Sequence, residues 1–85
     1  MLHTYQDVSQ HIIGFLRKKL EGAPEIDENA HFIKDLNVNS LLVFEIVEEL
    51  EMTYQIVVPL ELLYKEKIQT AAELAHEVMR LTSKG

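Results

Sequence analysis

Residues 35–54 read DLNVNSLLVFEIVEELEMTY, and this stretch decides the fold. Asn39 and Ser40 both favour the N-cap of a helix, and an uninterrupted run of helix-compatible residues follows from Leu41 to Tyr54. At about 100° per residue, one side of this helix carries a conventional apolar stripe, Val43, Ile46, Val47, Leu50 and Tyr54. The sequence therefore predicts a helix that begins at Asn39 or Ser40 and packs against a core.

The opposite side of this helix mixes apolar and acidic residues, namely Leu41, Phe44, Glu45, Glu48, Glu49 and Met52. A purely solvated face would carry polar residues only, and an apolar centre with an acidic rim is typical of a docking patch. The alternative is that Leu41 and Phe44 lie under the preceding loop, while the acids only keep the protein in solution.

A first helix is predicted before this stretch. Thr4 and Asp7 resemble a capping box with Asp in place of Glu, and apolar residues then recur at helical spacing: Val8, Ile12, Phe15, Leu16 and Leu20. The helix should end near Gly22, because Pro24 cannot continue it and opens a long loop to about Asn39. We expect four apolar residues to hold this loop against the core, namely Phe32, Ile33, Leu36 and Val38.

Two shorter elements are predicted after residue 54. Residues 55–58 are rich in β-branched side chains and lead into Pro59, so the helix should end there. A short third helix is predicted from Leu60 to Lys65. Thr70 and Glu73 form a second capping box, which precedes a last helix with the apolar residues Ala71, Leu74, Ala75, Val78 and Leu81. The predicted fold is therefore all-α, a small four-helix bundle with a long first loop and a short third helix.

The bulk composition limits what the chain can be. Its 85 residues, 47% of them hydrophobic, suffice for a single domain over residues 1–85 with a modest core. The chain has no cysteine, so disulfides and thiolate ligands are excluded and any thiol chemistry needs an added cofactor. No signal-peptide pattern and no membrane-spanning apolar run is present. We expect a cytoplasmic monomer without membrane insertion.

The charge distribution indicates the kind of partner. The net charge of −6 repels nucleic acid and anionic membranes, so neither is expected to bind. Between Leu36 and Tyr64 there is no Lys, Arg or His, while five glutamates fall inside this segment. We therefore expect partner proteins with basic docking surfaces.

The core motif, residues 35–41, resembles the acyl carrier protein signature Asp-Leu-Gly-x-Asp-Ser-Leu, in which the serine receives 4′-phosphopantetheine. The resemblance extends upstream to residues 28–34, downstream to residues 44–51, and to residues 70–74 at the start of the last helix. It thus covers nearly the whole chain. It implies an acyl-carrier-protein-like bundle and a non-catalytic carrier that holds acyl groups as thioesters on a phosphopantetheine arm.

The same resemblance implies the site and the partners. Ser40 would carry the arm, flanked by Asn39 and Leu41, and a helix start suits a phosphodiester because its N–H groups and dipole favour anions. The implied partners are a phosphopantetheinyl transferase and the acyl-loading and acyl-transfer enzymes of fatty-acid, polyketide or related specialised biosynthesis. The implied docking residues are Leu41, Leu42, Phe44, Glu45, Glu48, Glu49 and Met52.

Three departures from the family pattern stand out. Asn37 replaces a glycine, which Asn tolerates because it adopts left-handed backbone conformations more readily than most residues. Asn39 replaces an aspartate and loses the charge that would help to hold the transferase's magnesium ion. Leu42 stands where relatives often carry an acid. The departures favour a specialised carrier, and they leave open a degenerate carrier or an acidic helical interaction protein that is not phosphopantetheinylated.

No other motif indicates catalysis or metal binding. The four histidines, His3, His11, His31 and His76, have no mutual metal-ligand spacing, and we expect them at the surface or its boundary. No local motif suggests a Ser, His and acid combination, and the three glycines form no phosphate-binding loop. An isolated serine at a helix start is most often only an N-cap, so the assignment of Ser40 depends on the surrounding pattern.

Overall fold

The computed structural model describes residues 4–20, 25–65 and 67–83. These ranges form four helices in the order α1 (Tyr5–Lys19), α2 (Ser40–Tyr54), α3 (Leu60–Tyr64) and α4 (Ala71–Thr82). Within them there is no strand, and the one β-type pairing is an isolated bridge between His31 and Thr70. The predicted all-α fold with a short third helix is confirmed.

Helix α1 begins with the predicted capping box. The Thr4 hydroxyl accepts a hydrogen bond from the Asp7 N–H at 3.1 Å, and the Asp7 carboxylate accepts one from the Thr4 N–H at 3.3 Å. The helix ends at Lys19 with Leu20 as its C-cap, earlier than the end expected near Gly22, which lies outside the described residues. The inner face of α1 is completely buried at Val8, Ile12 and Leu16.

Helix α2 begins and ends where the sequence predicts, but its end has a cause that the sequence did not indicate. Gln55 adopts a left-handed conformation with φ 54°, which stops the helix. The Glu51 carbonyl accepts the N–H of Ile56, and the Glu51 carboxylate accepts the N–H of Val58 at 2.8 Å. Glu51 therefore fixes the connection between α2 and α3.

Helix α4 packs against both α1 and α2 through the face that contains Ala71, Leu74, Ala75 and Val78. The Thr70 hydroxyl accepts the Glu73 N–H at 3.1 Å, as expected of a capping box. The Glu73 carboxylate accepts the N–H of Gln69 at 2.8 Å, one residue before the position expected. The N-terminal cap of α4 is therefore extended backwards by one residue.

The loop before α2 is held against the core by Ile26, Phe32 and Val38, which are buried, and by Leu36, which is half-buried. The prediction for Ile33 was wrong, because 55% of this residue is exposed. Residues 31–37 form consecutive turns in which Phe32 and Leu36, four residues apart, face the core. Ile33 lies beside them on the outer side.

Glu28 connects this loop to the N-terminal parts of α1 and α4. One carboxylate oxygen accepts the Ser9 hydroxyl at 2.8 Å and the other accepts the Tyr5 hydroxyl at 3.2 Å. The Glu28 carbonyl accepts the N–H of Ala72 at 2.9 Å. Burial raises the pKa of Tyr5, and the hydrogen bond and the negative charge of Glu28 raise it further, so the phenol remains a donor at neutral pH.

We predict that Ser9→Ala lowers the free energy of unfolding by about 1–2 kcal/mol, because the buried hydroxyl donates to a carboxylate. Urea denaturation followed by circular dichroism measures the change. Ser83→Ala removes an exposed serine and is the control, with an expected change within about 0.5 kcal/mol. Equal midpoints for the two variants would show that Glu28 does not stabilise the loop through Ser9.

Candidate functional site

Ser40 is the first residue of α2 and is exposed to solvent. Asn39 is the N-cap, and its side-chain oxygen accepts the N–H of Leu42 at 2.8 Å. The Ser40 hydroxyl and the N–H groups of Ser40 and Leu41 have no hydrogen-bond partner in the part of the chain that the structure describes. An accessible hydroxyl therefore lies at the positive end of a helix dipole, beside free N–H donors that favour an anion.

The turn that precedes Ser40 is closed by backbone and side-chain hydrogen bonds. The His31 N–H donates to the Asp35 carboxylate at 2.8 Å, and the Val38 N–H donates to the Phe32 carbonyl at 2.8 Å. Asn37 has φ 57°, so it occupies the left-handed conformation that the sequence led us to expect at this position. The rigid turn fixes where α2, and with it Ser40, begins.

A cavity of about 320 Å³ lies beside Ser40, between α2, α3 and the preceding loop. Its lining residues are His31, Phe32, Ile33, Ser40, Val43, Phe44, Leu63, Ile68 and Gln69. Most of these side chains are apolar, and the volume lies in the range of small-molecule pockets. The cavity can therefore accept an apolar group that is attached nearby.

The outer face of α2 exposes Leu41 and Met52, at 66% and 74% of their surface. Leu41, Glu48 and Met52 are spaced at i, i+7 and i+11, so they lie on one stripe of the helix. Glu48 is exposed and has no ion-pair or hydrogen-bond partner among the described residues. The alternative placement of Leu41 under the loop was wrong, whereas Phe44 is half-buried and lines the cavity with loop residues.

The other two acids of the predicted patch lie towards α1. The Glu45 carboxylate is 3.8 Å from the Lys19 ammonium group, and the Glu49 carboxylate is 3.1 Å from His11 Nε2. Leu42 is half-buried and packs against the core. The structure thus brings Leu41, Glu48 and Met52 together at the surface. Of the remaining members, Glu45 and Glu49 contact α1, Leu42 packs against the core and Phe44 lines the cavity.

His11 also contacts Tyr54, with 3.2 Å between its Nδ1 and the phenolic oxygen. Burial raises the pKa of Tyr54, and the negative charge of Asp7 contributes to the same shift. Among residues 4–20, 25–65 and 67–83, no three His, Asp or Glu side chains are grouped so that they could hold a metal ion. In the same ranges, no helix is both long and apolar enough to cross a membrane.

Sequence reasoning missed several residues around Ser40. Leu63, Ile68 and Gln69 line the cavity although nothing in their local sequence indicates a site. His31 was assigned only to the surface boundary, yet it caps the turn before Ser40 and also lines the cavity. The proximity of residues 68 and 69 to residue 40 depends on tertiary packing, which no local motif predicts.

Two comparisons with known proteins agree with this geometry. Residues 7–78 match the family model described as the phosphopantetheine attachment site. The chain is 36% identical over 75 residues to a protein of Caulobacter vibrioides named "Probable acyl carrier protein". The aligned region covers 87% of this chain and 85% of that protein. No solved structure gave a significant match.

Proposed function

We propose the following function from the premise that this chain belongs to the acyl carrier protein family, whose members carry covalently attached 4′-phosphopantetheine. Ser40 is the attachment residue, and the protein presents acyl groups to the enzymes of fatty-acid, polyketide or related specialised biosynthesis. When bound, the arm supplies the thiol that this cysteine-free chain lacks. The protein itself is a carrier without a catalytic residue.

The observation that carries the proposal is the exposed Ser40 hydroxyl at the start of α2, next to an apolar cavity. The hydroxyl is accessible to a transferase, and the free N–H groups of Ser40 and Leu41 suit a phosphodiester joined to it. Asn39 holds the first turn through Leu42 and places no carboxylate beside that phosphate. The residues present therefore fit the arm.

The cavity supports a role in protecting the cargo. Phe32, Val43, Phe44, Leu63 and Ile68 provide an apolar lining within reach of the attachment residue. Burying an apolar chain there removes it from water at a gain of roughly 25 cal/mol per Å². A partner enzyme then has to draw the acyl group out, which limits release to docked complexes.

The outer stripe of α2 supports a docking role. Leu41 and Met52 supply exposed apolar area, and Glu48 supplies a negative charge without a competing basic neighbour among the described residues. Glu45 and Glu49 border the same face, although the Lys19 ammonium group lies near Glu45 and the His11 ring contacts Glu49. Basic enzymes, including the phosphopantetheinyl transferase, would meet Glu48 first.

A second candidate function is an unmodified interaction protein with the same fold. Asn39 favours it, because the neutral side chain cannot help to hold a magnesium ion. Modification of Ser40 separates the two functions directly.

The first prediction for this function is that the purified protein gains the mass of one phosphopantetheine when treated with coenzyme A and a broad-specificity transferase. Ser40→Ala should stay folded, since the hydroxyl has no described hydrogen-bond partner, and should gain no mass. Ser83→Ala is the matched control and should be modified normally. Mass gain by Ser40→Ala would refute the site, and an unmodified native chain would favour the interaction protein.

The second prediction concerns docking. Glu48→Lys should lower the rate of modification by the transferase about threefold to tenfold at low salt, because charge steering accelerates association. Glu25→Lys, in the exposed loop after α1, makes the same charge change outside α2 and should have little effect. The difference between the variants should shrink as salt is added. Equal rates at low salt would contradict a docking role of Glu48.

The third prediction concerns Asn39→Asp. The new carboxylate should speed modification of Ser40 at saturating magnesium, because the ion can bridge it to the incoming pyrophosphate. The melting temperature should change by no more than about 2 °C, since Asn and Asp cap helices almost equally well. Asn29→Asp, in the exposed turn before His31, controls for the charge. A rate no higher than that of the native chain would show that Asn39 is no handicap.

A further inference from the structure

The His31 imidazole is held in one orientation by two backbone donors. Its Nδ1 accepts the N–H of Ile33 and the N–H of Lys34, each at 3.1 Å. A ring nitrogen that accepts hydrogen bonds carries no proton, so the proton of the neutral ring resides on Nε2. The turn therefore fixes both the tautomer and the position of the ring.

The same ring is half-buried and forms part of the wall of the cavity beside Ser40. Its Nε2–H has no acceptor among residues 4–20, 25–65 and 67–83. The neighbouring wall residues Phe32, Val43 and Phe44 are apolar and offer no acceptor from their side chains. The Nε2–H remains accessible to solvent, so a carbonyl group that enters the cavity can replace water as its acceptor.

We propose that His31 is a positioning residue, whose Nε2–H donates a hydrogen bond to a carbonyl oxygen of the acyl-bearing arm when the acyl group occupies the cavity. The inference rests on the proposed attachment at Ser40. The acceptor is an amide carbonyl oxygen of the arm, because a bond to the thioester carbonyl would speed hydrolysis instead of protecting the acyl group. The phosphate of the arm, next to the start of α2, has the N–H groups of Ser40 and Leu41 instead.

Apart from His31 and Ser40, the polar residue that lines the cavity is Gln69. No described hydrogen bond fixes its amide, whereas two bonds fix the imidazole of His31. A fixed donor loses less conformational entropy when it binds, so His31 is the better placed of the two to hold the arm.

The test is nitrogen-15 NMR of the histidine rings in three samples: unmodified, carrying the arm, and carrying an octanoyl group on the arm. Intact mass confirms the state of each sample. In the unmodified protein, His31 should show the neutral tautomer with its proton on Nε2. On octanoyl loading, the Nε2 and Hε2 shifts of His31 should move, while those of His76, which is exposed on α4, should not.

Two variants distinguish the donor role of the His31 Nε2–H from the role of the same side chain in capping the turn. His31→Ser keeps an oxygen that can accept hydrogen bonds from the backbone N–H groups of the turn. Its side chain is too short to place a donor where Nε2 of His31 lies. Loss of one hydrogen bond should make octanoyl hydrolysis at mildly alkaline pH about threefold to tenfold faster in His31→Ser, with helicity unchanged. His76→Ser makes the same change on the exposed side of α4, outside the cavity, and should hydrolyse at the native rate.

The outcomes distinguish the inference from the function on which it rests. A native chain that gains no mass refutes the proposed function, and the inference falls with it. An octanoyl-loaded chain with unmoved His31 shifts, or with His31→Ser hydrolysing at the native rate, refutes the inference alone. A proton found on Nδ1 in the unmodified protein refutes it as well.

Discussion

The position of Ser40 depends on the way Phe32 is bound. Its side chain is buried in the core, its N–H donates to the Gln69 carbonyl at 2.8 Å, and its carbonyl accepts the Val38 N–H at 2.8 Å. The first hydrogen bond joins the loop to the segment before α4, and the second closes the turn before α2. A residue that uses its side chain and both backbone groups leaves the turn little freedom. Ser40 and one wall of the cavity are thus both held in place by Phe32.

The charges on α2 are less uniform than the sequence suggests. Between residues 36 and 64 every charged side chain is acidic, yet α1 supplies Lys19 and His11 opposite Glu45 and Glu49. These contacts are partly exposed, so each contributes little to stability. Their main consequence is spatial, because both contacts draw these acids towards α1, whereas Glu48 makes no such contact among the described residues. The stripe of Leu41, Glu48 and Met52 is therefore both apolar and negatively charged.

The parts of the fold that depend on local sequence could be predicted, and the parts that depend on distant partners could not. The caps at Thr4, Asn39 and Thr70 and the apolar stripe of α2 involve residues within a few positions of one another. Glu28, by contrast, binds residues 19 and 23 positions away, and its role has no local signature.

The site shows the same division. The serine, its cap and the left-handed Asn37 follow from the motif, because each depends on the backbone immediately around it. The exposure of Ile33 and the cavity-facing placement of His31 follow from the packing of the loop against residues 68 and 69. The apolar character of Ile33 therefore predicted a core position that the packing does not give, and the spacing of the histidines did not reveal the cavity beside His31.

The cavity lies beside α3, the helix that can shift most easily. Helices α1, α2 and α4 enclose a fully buried centre that includes Ile12, Leu50 and Leu74. Helix α3 has five residues, too few to be stable without its neighbours, and it contributes Leu63 to the cavity wall. Widening the cavity by a shift of α3 therefore disturbs few core contacts, whereas a shift of α1 or α4 would open the centre. This arrangement would suit a carrier, because the three-helix core keeps α2 and Ser40 in place while the wall moves.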